Sequence, residues 1–348
     1  MTASFNALIA ALCAAAVFCT GCASKWTPVT DSAAEPPCWR DQANVAVATH
    51  IGTIRGFEET GASMLRAMKR MVFGKTEDNR IVRPVAVAVG RDGRIAIADL
   101  GCSCVHLYVP SEQQYRKIRG AGKEELHTPV SVAFDDESRL FVSDSTRGAI
   151  YVFDRTGEPV SEIRKAGNNP LRRPTGLSYA PGKKVLYAVD TLANKIYAFD
   201  ATGALLFSFG ERGDQQGMFN LPTHIVTDSA GRVYVTDAMN FRVQVFDASG
   251  TFFSSFGHHG NGSGDFSLPK GIVVDKTGVI YVVDNLFDNI QLFNLAGEFL
   301  FTIGGRGTGL GEFWLPSGLF LDDRGKLYVC DTYNQRVQIF QITEKQHE

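Results

Sequence analysis

The sequence predicts an all-β protein, a six-bladed β-propeller of four-stranded blades whose ring is closed by an N-terminal strand. Three observations lead there. Six prolines, Pro84, Pro129, Pro174, Pro222, Pro269 and Pro316, each open a run such as "PKGIVVD", at spacings of 45, 45, 48, 47 and 47 residues. Six aspartates, Asp99, Asp144, Asp190, Asp237, Asp284 and Asp331, follow those prolines by 15 or 16 residues. Six positions beyond each aspartate stands a β-branched residue, Val105, Ile150, Ile196, Val243, Ile290 and Val337, with no insertion in any copy. A period of 45 to 48 residues built from short alternating runs is that of a propeller blade.

The elements of one period follow in order. In the fourth copy "THIVTD", "VYVTD", "RVQVFD" and "FFSSFG" read as strands, "SAGR" and "ASG" as turns, and "AMNF" as the loop between the second and third strands. The aspartate ends the second strand, where its short carboxylate accepts hydrogen bonds from backbone N–H groups of the following loop. Six equivalent carboxylates cannot all serve as the acid of one reaction, so they read as loop pins. The last copy supplies only three strands, "SGLFLDD", "KLYVCD" and "RVQIF". Its missing outer strand is assigned to "THIGTIRG", residues 49–56, which resembles the run "FLFTIGGRG" of residues 299–307. Pairing the first strand with the last removes edges that would otherwise template aggregation.

Over residues 49–341 the pattern Pro-x-Gly-(apolar)-x-(apolar)-Asp, then "GRVYVTDAMNFRVQVFD", then "FGxxGxxxGxFxxP" resembles NHL repeats. Blade one, with "DLGCSCVHLYV", matches least. The resemblance implies a six-bladed propeller. It does not imply an activity, because NHL-repeat proteins include ligand-binding, RNA-binding, sensor and enzymatic members.

Residues 1–21 form an apolar run of secretory-signal length, too short and too rich in small residues for a membrane span. The ending "FCTGC" resembles a bacterial lipobox, which makes Cys22 the lipidated first residue of the mature chain and the whole similar to bacterial NHL-repeat lipoproteins. Residues 22–45, rich in Ala, Ser, Thr and Pro, read as a flexible tether, and the propeller is assigned to 46–343. Ala23 and Ser24 resemble the residues of outer-membrane-sorted lipoproteins, so the expected location is the cell envelope, at the periplasmic face of the outer membrane or the cell surface. Such a compartment permits disulfides among Cys38, Cys102, Cys104 and Cys330, although the close spacing of Cys102 and Cys104 speaks against a relaxed bridge between them.

Alternating strand directions place the loops after the second strands and the glycine-rich connectors between blades on one face. Candidate ligand-binding residues lie there. His224 stands where other blades carry Ala86, Gly176, Gly271 and Gly318, which directs it toward the channel, and Arg147, Lys195, Arg242 and Arg336 ring the same rim. The segment "GASMLRAMKRMVFG" is an insertion read as helical over about 60–73, with Met64, Leu65, Met68 and Met71 as a candidate partner-docking face.

The connectors are not dinucleotide loops, because strands rather than helices follow them, and no G-x-S-x-G elbow is present. Peptidyl-hydroxyglycine lyases are similar propellers that hold zinc through three histidines, of which only His224 has a counterpart in position here. No catalytic residue, cofactor or metal is therefore assigned. The function expected is a lipid-anchored binding or scaffold module working through its long-loop face, with a propeller hydrolase or lyase near His224 as the alternative. Its partner is a protein or a small-molecule ligand, the membrane is met only through the anchor, and the chain is a monomer. A net charge of −2 and a pI near 6.4 argue against nucleic acid.

Overall fold

Near-continuous apolar runs such as "VYVTD" and "IYVVD" dictate strands buried on both faces, and each repeat folds as a sheet around such a strand. The computed structural model describes residues 25–31, 33–40, 46–60 and 78–343. Five blades are continuous antiparallel four-stranded sheets, starting with Pro84–Val89, Pro129–Phe134, Pro174–Ala180, Pro222–Thr227 and Pro269–Val274 as their innermost strands. The second strands, such as Leu140–Asp144, Val233–Asp237 and Ile280–Asp284, are buried at every residue because a neighbouring blade covers each side.

The core is accordingly divided into six layers, one between each pair of adjacent blades. Phenylalanines from several strands and a connector fill each of the later layers. Phe293 packs 4.8 Å from Phe256 and 5.4 Å from Phe266, centroid to centroid. Gly257 ends the outer strand beside them at φ +86°, and a Cβ there would lie 2.4 Å from the Phe266 ring. Both constraints admit only glycine.

The sixth blade is assembled from the two ends of the propeller. Leu319–Leu321, Lys326–Asp331 and Arg336–Ile342 supply three strands, and Ala46–Thr60 pairs with the last of them from Ala48↔Ile342 to Ile54↔Val337. The expected closing strand is thus present and longer than residues 49–56. Its apolar residues Ile54 and Phe57 join Ile97 and Val337 in the layer between blades six and one.

Two expectations require correction. The segment 22–45 is not a featureless tether over its described part: Lys25–Asp31 and Cys38–Arg40 are strands pairing with the two ends of Ala46–Thr60. A closing strand of that length leaves ladder groups beyond the blade edge, and the preceding chain satisfies them. Trp26 lies 5.0 Å from Tyr115, Trp39 lies 5.6 Å from Phe340, and Asp31 pairs with Arg55. Secondly, Cys102 and Cys104 are joined by a disulfide. The tight loop, with Ser103 at φ 48°, brings their Cα atoms to 5.3 Å, within bridging distance. Cys38 and Cys330 are free, Cys330 being buried in its strand. The signal region, Cys22 and the docking residues Met64, Leu65, Met68 and Met71 lie outside the described residues.

Candidate functional site

The six repeat aspartates are fully buried at the ends of their second strands, and each carboxylate holds the connector entering its own blade. Asp99 accepts from the Val82 and Arg83 N–H groups at 2.7 and 2.8 Å, and Asp190 from those of Arg172 and Arg173 at 2.7 and 2.9 Å. Asp331 accepts from the Trp314 N–H at 2.8 Å. The following loop contributes as well: Leu286 donates its N–H to Asp284 at 3.1 Å. Carboxylates so surrounded are pins, as the repetition required, and their effect is to fix the backbone of the long-loop rim.

What that rim displays divides into two arcs. Over blades three to six stand Leu192, Leu221, Met239, Leu286, Trp314 and Tyr333, between 37 and 54 % exposed. Four of them, Leu192, Met239, Leu286 and Tyr333, occupy the second position after their blade's aspartate, and Leu221 and Trp314 lie in the connectors just before the opening prolines. The presentation is built in. Leu221 donates its N–H to the Asn194 side chain at 2.8 Å, and Met239 and Tyr333 donate theirs to the Asn220 and Trp314 carbonyls, each at 3.1 Å. Trp314 and Tyr333 pack against each other with their rings tilted by 39° and centroids 5.7 Å apart. Other exposed apolar side chains include Val160, Leu206, Phe253 and Leu300, one to a blade on the outer strands, and Val82 in the connector entering blade one.

Over blades one to three the same rim is basic, with Arg83, His127, Arg172 and Arg173 exposed. Arg83 lies over the Tyr333 ring at 5.8 Å, which joins the two arcs across the closure. Large apolar anchors beside arginines are the composition of protein-docking surfaces.

The residues expected to bind ligand are not gathered into one site. Arg336 is buried, donating to Asp331 at 2.7 Å and to the Glu312 carbonyl at 2.9 Å, and Arg242 likewise serves Asp237 at 2.9 Å and the Met218 carbonyl at 3.0 Å. Both guanidiniums are framework, clamping the glycine-rich connectors. Arg147 lies 2.9 Å from His127 through its Nη2, on the basic arc, and Lys195 is half-buried in blade three.

His224 does line the channel, a narrow space of about 240 Å³ walled mostly by aliphatic side chains. Its Nδ1 lies 3.1 Å from the Thr223 hydroxyl, and burial, followed by repulsion from Lys270, pushes its pKa down to about 3. Burial also lowers the pKa of Lys270. Among the described residues no set of three metal-donor side chains includes His224. The one such set is Cys102, Cys104 and His106, whose two sulfurs are bonded to each other.

Comparison with known proteins agrees with this architecture. Residues 219–286 match a family described as a 6-bladed beta-propeller, and residues 313–340 match the NHL repeat. The chain is a six-bladed β-propeller that carries an NHL repeat. No curated protein matches it in sequence. Among solved structures, the NHL-repeat propeller is similar to virginiamycin B lyase from Staphylococcus aureus, at 14 % identity and a TM-score of 0.57, over 76 % of this chain and 97 % of that one. A gluconolactonase from Xanthomonas campestris gives 13 % identity and a TM-score of 0.61, over 93 % and 99 %. An auxiliary nutrient binding protein from Bacteroides thetaiotaomicron gives 14 % and 0.56, over 77 % and 71 %. At such identities these likenesses concern the fold alone.

The apolar arc of this NHL-repeat propeller is the feature sequence reasoning missed. Its signal was available: the second residue after each aspartate reads Gly101, Thr146, Leu192, Met239, Leu286 and Tyr333, polar or small in two blades and large and apolar in four.

Proposed function

We propose that this NHL-repeat propeller is a binding module that docks a protein partner on its long-loop face, without hydrolase or lyase chemistry in its channel. The observation that supports this reading is the arc from Leu192 to Tyr333, six large apolar side chains held in water by a backbone pinned to buried carboxylates. Side chains held out of the core at fixed positions lose little further freedom on association, so their burial converts efficiently into affinity. The basic arc adds charge complementarity, which favours a partner presenting an apolar anchor flanked by acidic groups. The propeller acts from the bacterial cell envelope, tethered by a lipid on Cys22, as the lipobox and the small residues behind it suggest.

A photo-reactive residue in place of Leu286, illuminated in intact cells, tests the docking surface. A discrete protein adduct supports the reading, and an absence of any adduct at a rim residue contradicts it.

A second reading, a hydrolase or lyase acting in the channel, is favoured by one observation. His224 and Lys270 both have pKa values lowered by burial, a condition for general-base or nucleophilic work. It ranks below docking because no further acid, base or metal-donor set joins His224 among the described residues. Stoichiometric metal in the purified protein that disappears in His224→Ala would reverse that ranking.

A further inference from the structure

We propose that Cys102 and Cys104 form a redox-active pair that exchanges electrons with thiols, a role independent of docking on the rim. The loop from each repeat aspartate to the third strand has the same length in all six blades, and among the described blades only this one closes it with a disulfide. Its fold therefore does not need the bridge. A bridge across so short a loop also constrains the unfolded chain least, so as a structural staple it gains little.

The positions involved carry a second distinction. In blade six the residues equivalent to Cys102, Cys104 and His106 are Asn334, Arg336 and Gln338, and all three donate to the buried Asp331. Blade one replaces that polar clamp with two thiols and an imidazole while keeping the carboxylate. His106 is fully buried, with Nε2 3.2 Å from Asp99, 3.8 Å from the Cys102 sulfur and 3.7 Å from the Cys104 sulfur, and Nδ1 2.9 Å from the Tyr115 hydroxyl.

Exposure separates the roles of the two sulfurs. Cys102 is part-exposed and Cys104 fully buried. The loop around Cys102 is bonded to the backbones of the basic arc, Leu100 N–H to the Arg83 carbonyl at 3.0 Å and the Ser103 hydroxyl to the His127 carbonyl at 2.9 Å. An incoming thiolate RS⁻ attacks the Cys102 sulfur, and the S–S bond breaks with its electron pair leaving on Cys104, whose sulfur lies 3.7 Å from the His106 Nε2. A second RS⁻ then attacks the sulfur of R in the mixed disulfide, releasing RSSR and the Cys102 thiolate. Each cysteine thiolate takes one proton from water. Two RSH and one protein disulfide thus become RSSR and a protein dithiol, with two electrons transferred, and the reverse sequence oxidises the pair.

The test equilibrates the full folded chain across a series of reduced and oxidised glutathione ratios, quenches with acid, alkylates free thiols and locates them by peptide mass spectrometry. Cys102 and Cys104 are expected to open and close together within the series while near-ultraviolet circular dichroism stays constant. In Cys104→Ser, glutathione is expected as a mixed disulfide on Cys102. In Cys102→Ser, Cys104 is expected to stay unmodified. A bridge that remains closed in the fully reduced buffer, one that opens only as the dichroism is lost, or capture at Cys104 instead of Cys102 would each overturn the proposal. The series on the unaltered chain decides the matter even where a variant fails to fold.

Discussion

The Thr332 hydroxyl donates to the Pro84 carbonyl at 2.8 Å, tying the residue after the last repeat aspartate to the proline that opens the first blade, 248 positions away. The same bond recurs between neighbours in sequence, from Thr191 to the Pro222 carbonyl and from Asn285 to the Pro316 carbonyl, each at 2.7 Å. The ring closure is therefore chemically the same joint as the internal ones. Thr332→Val keeps the side-chain shape, removes the donor and leaves a buried carbonyl unpaired, which should cost about 1–3 kcal/mol. Urea unfolding of Thr332→Val and Thr191→Val should show similar losses, and an unchanged midpoint in Thr332→Val would contradict the joint.

The Asp331 pin should be expensive to remove. Arg336 beside it is 1 % exposed, so Asp331→Ala strands a buried guanidinium, at about 3–5 kcal/mol. The double substitution Asp331→Ala with Arg336→Met should recover part of that loss, because no charge is then left unpaired. Denaturant midpoints of the two proteins measure it, and a double variant less stable than the single one would count against the pairing.

Acid should destabilise the protein partly through His224. Its folded pKa of about 3 lies below the unfolded value of 6.5, so the unfolded chain binds the proton first and stability falls as pH drops from 6.5 toward 3. The slope from this residue is at most ~1.4 kcal/mol per pH unit. Asp237 and Asp331 act in the opposite sense, since burial raises both above the usual carboxylate value and protonation relieves them as pH falls. Stability measured against pH for the native chain and for His224→Gln should diverge over that window, the variant falling less steeply. Parallel curves would show that the imidazole is not held neutral.

The proposed lipid anchor makes a prediction that needs no partner. Cys22→Ala should move the protein from the membrane fraction to the soluble fraction while leaving its thermal midpoint unchanged. Retention in the membrane would contradict lipidation at Cys22.

Much of the fold was legible because the repeat imposes one pattern six times. The Pro-to-Asp interval located every blade, and the shortage of an outer strand in the last copy pointed to the closing strand around His50 and Ile54. The outer strand Lys25–Asp31 was not legible, because "KWTPVTD" interrupts its alternation with a proline that is tolerated only at an edge. The candidate site was legible by face but not by residue. Arg242 and Arg336 looked like free cations because their partners, connector carbonyls 24 residues upstream, have no local signature. His224 was placed correctly at the channel, since the small residues at equivalent positions mark a close approach of backbones, Gly271 having the Ser317 carbonyl 2.4 Å from where its Cβ would lie. The apolar arc escaped notice because exposure of a leucine or tryptophan is decided by the loop conformation that the buried aspartates impose.

The docking claim is tested most directly by comparing photo-cross-linking yields in envelope membranes from position 286 on the long-loop rim and position 249 on the opposite face, with and without Trp314→Ala. The account predicts a protein adduct from position 286 alone, reduced by roughly tenfold or more when Trp314 is truncated, as for an interface anchor. An equal yield from position 249, or a yield from position 286 that survives the loss of Trp314, would contradict it.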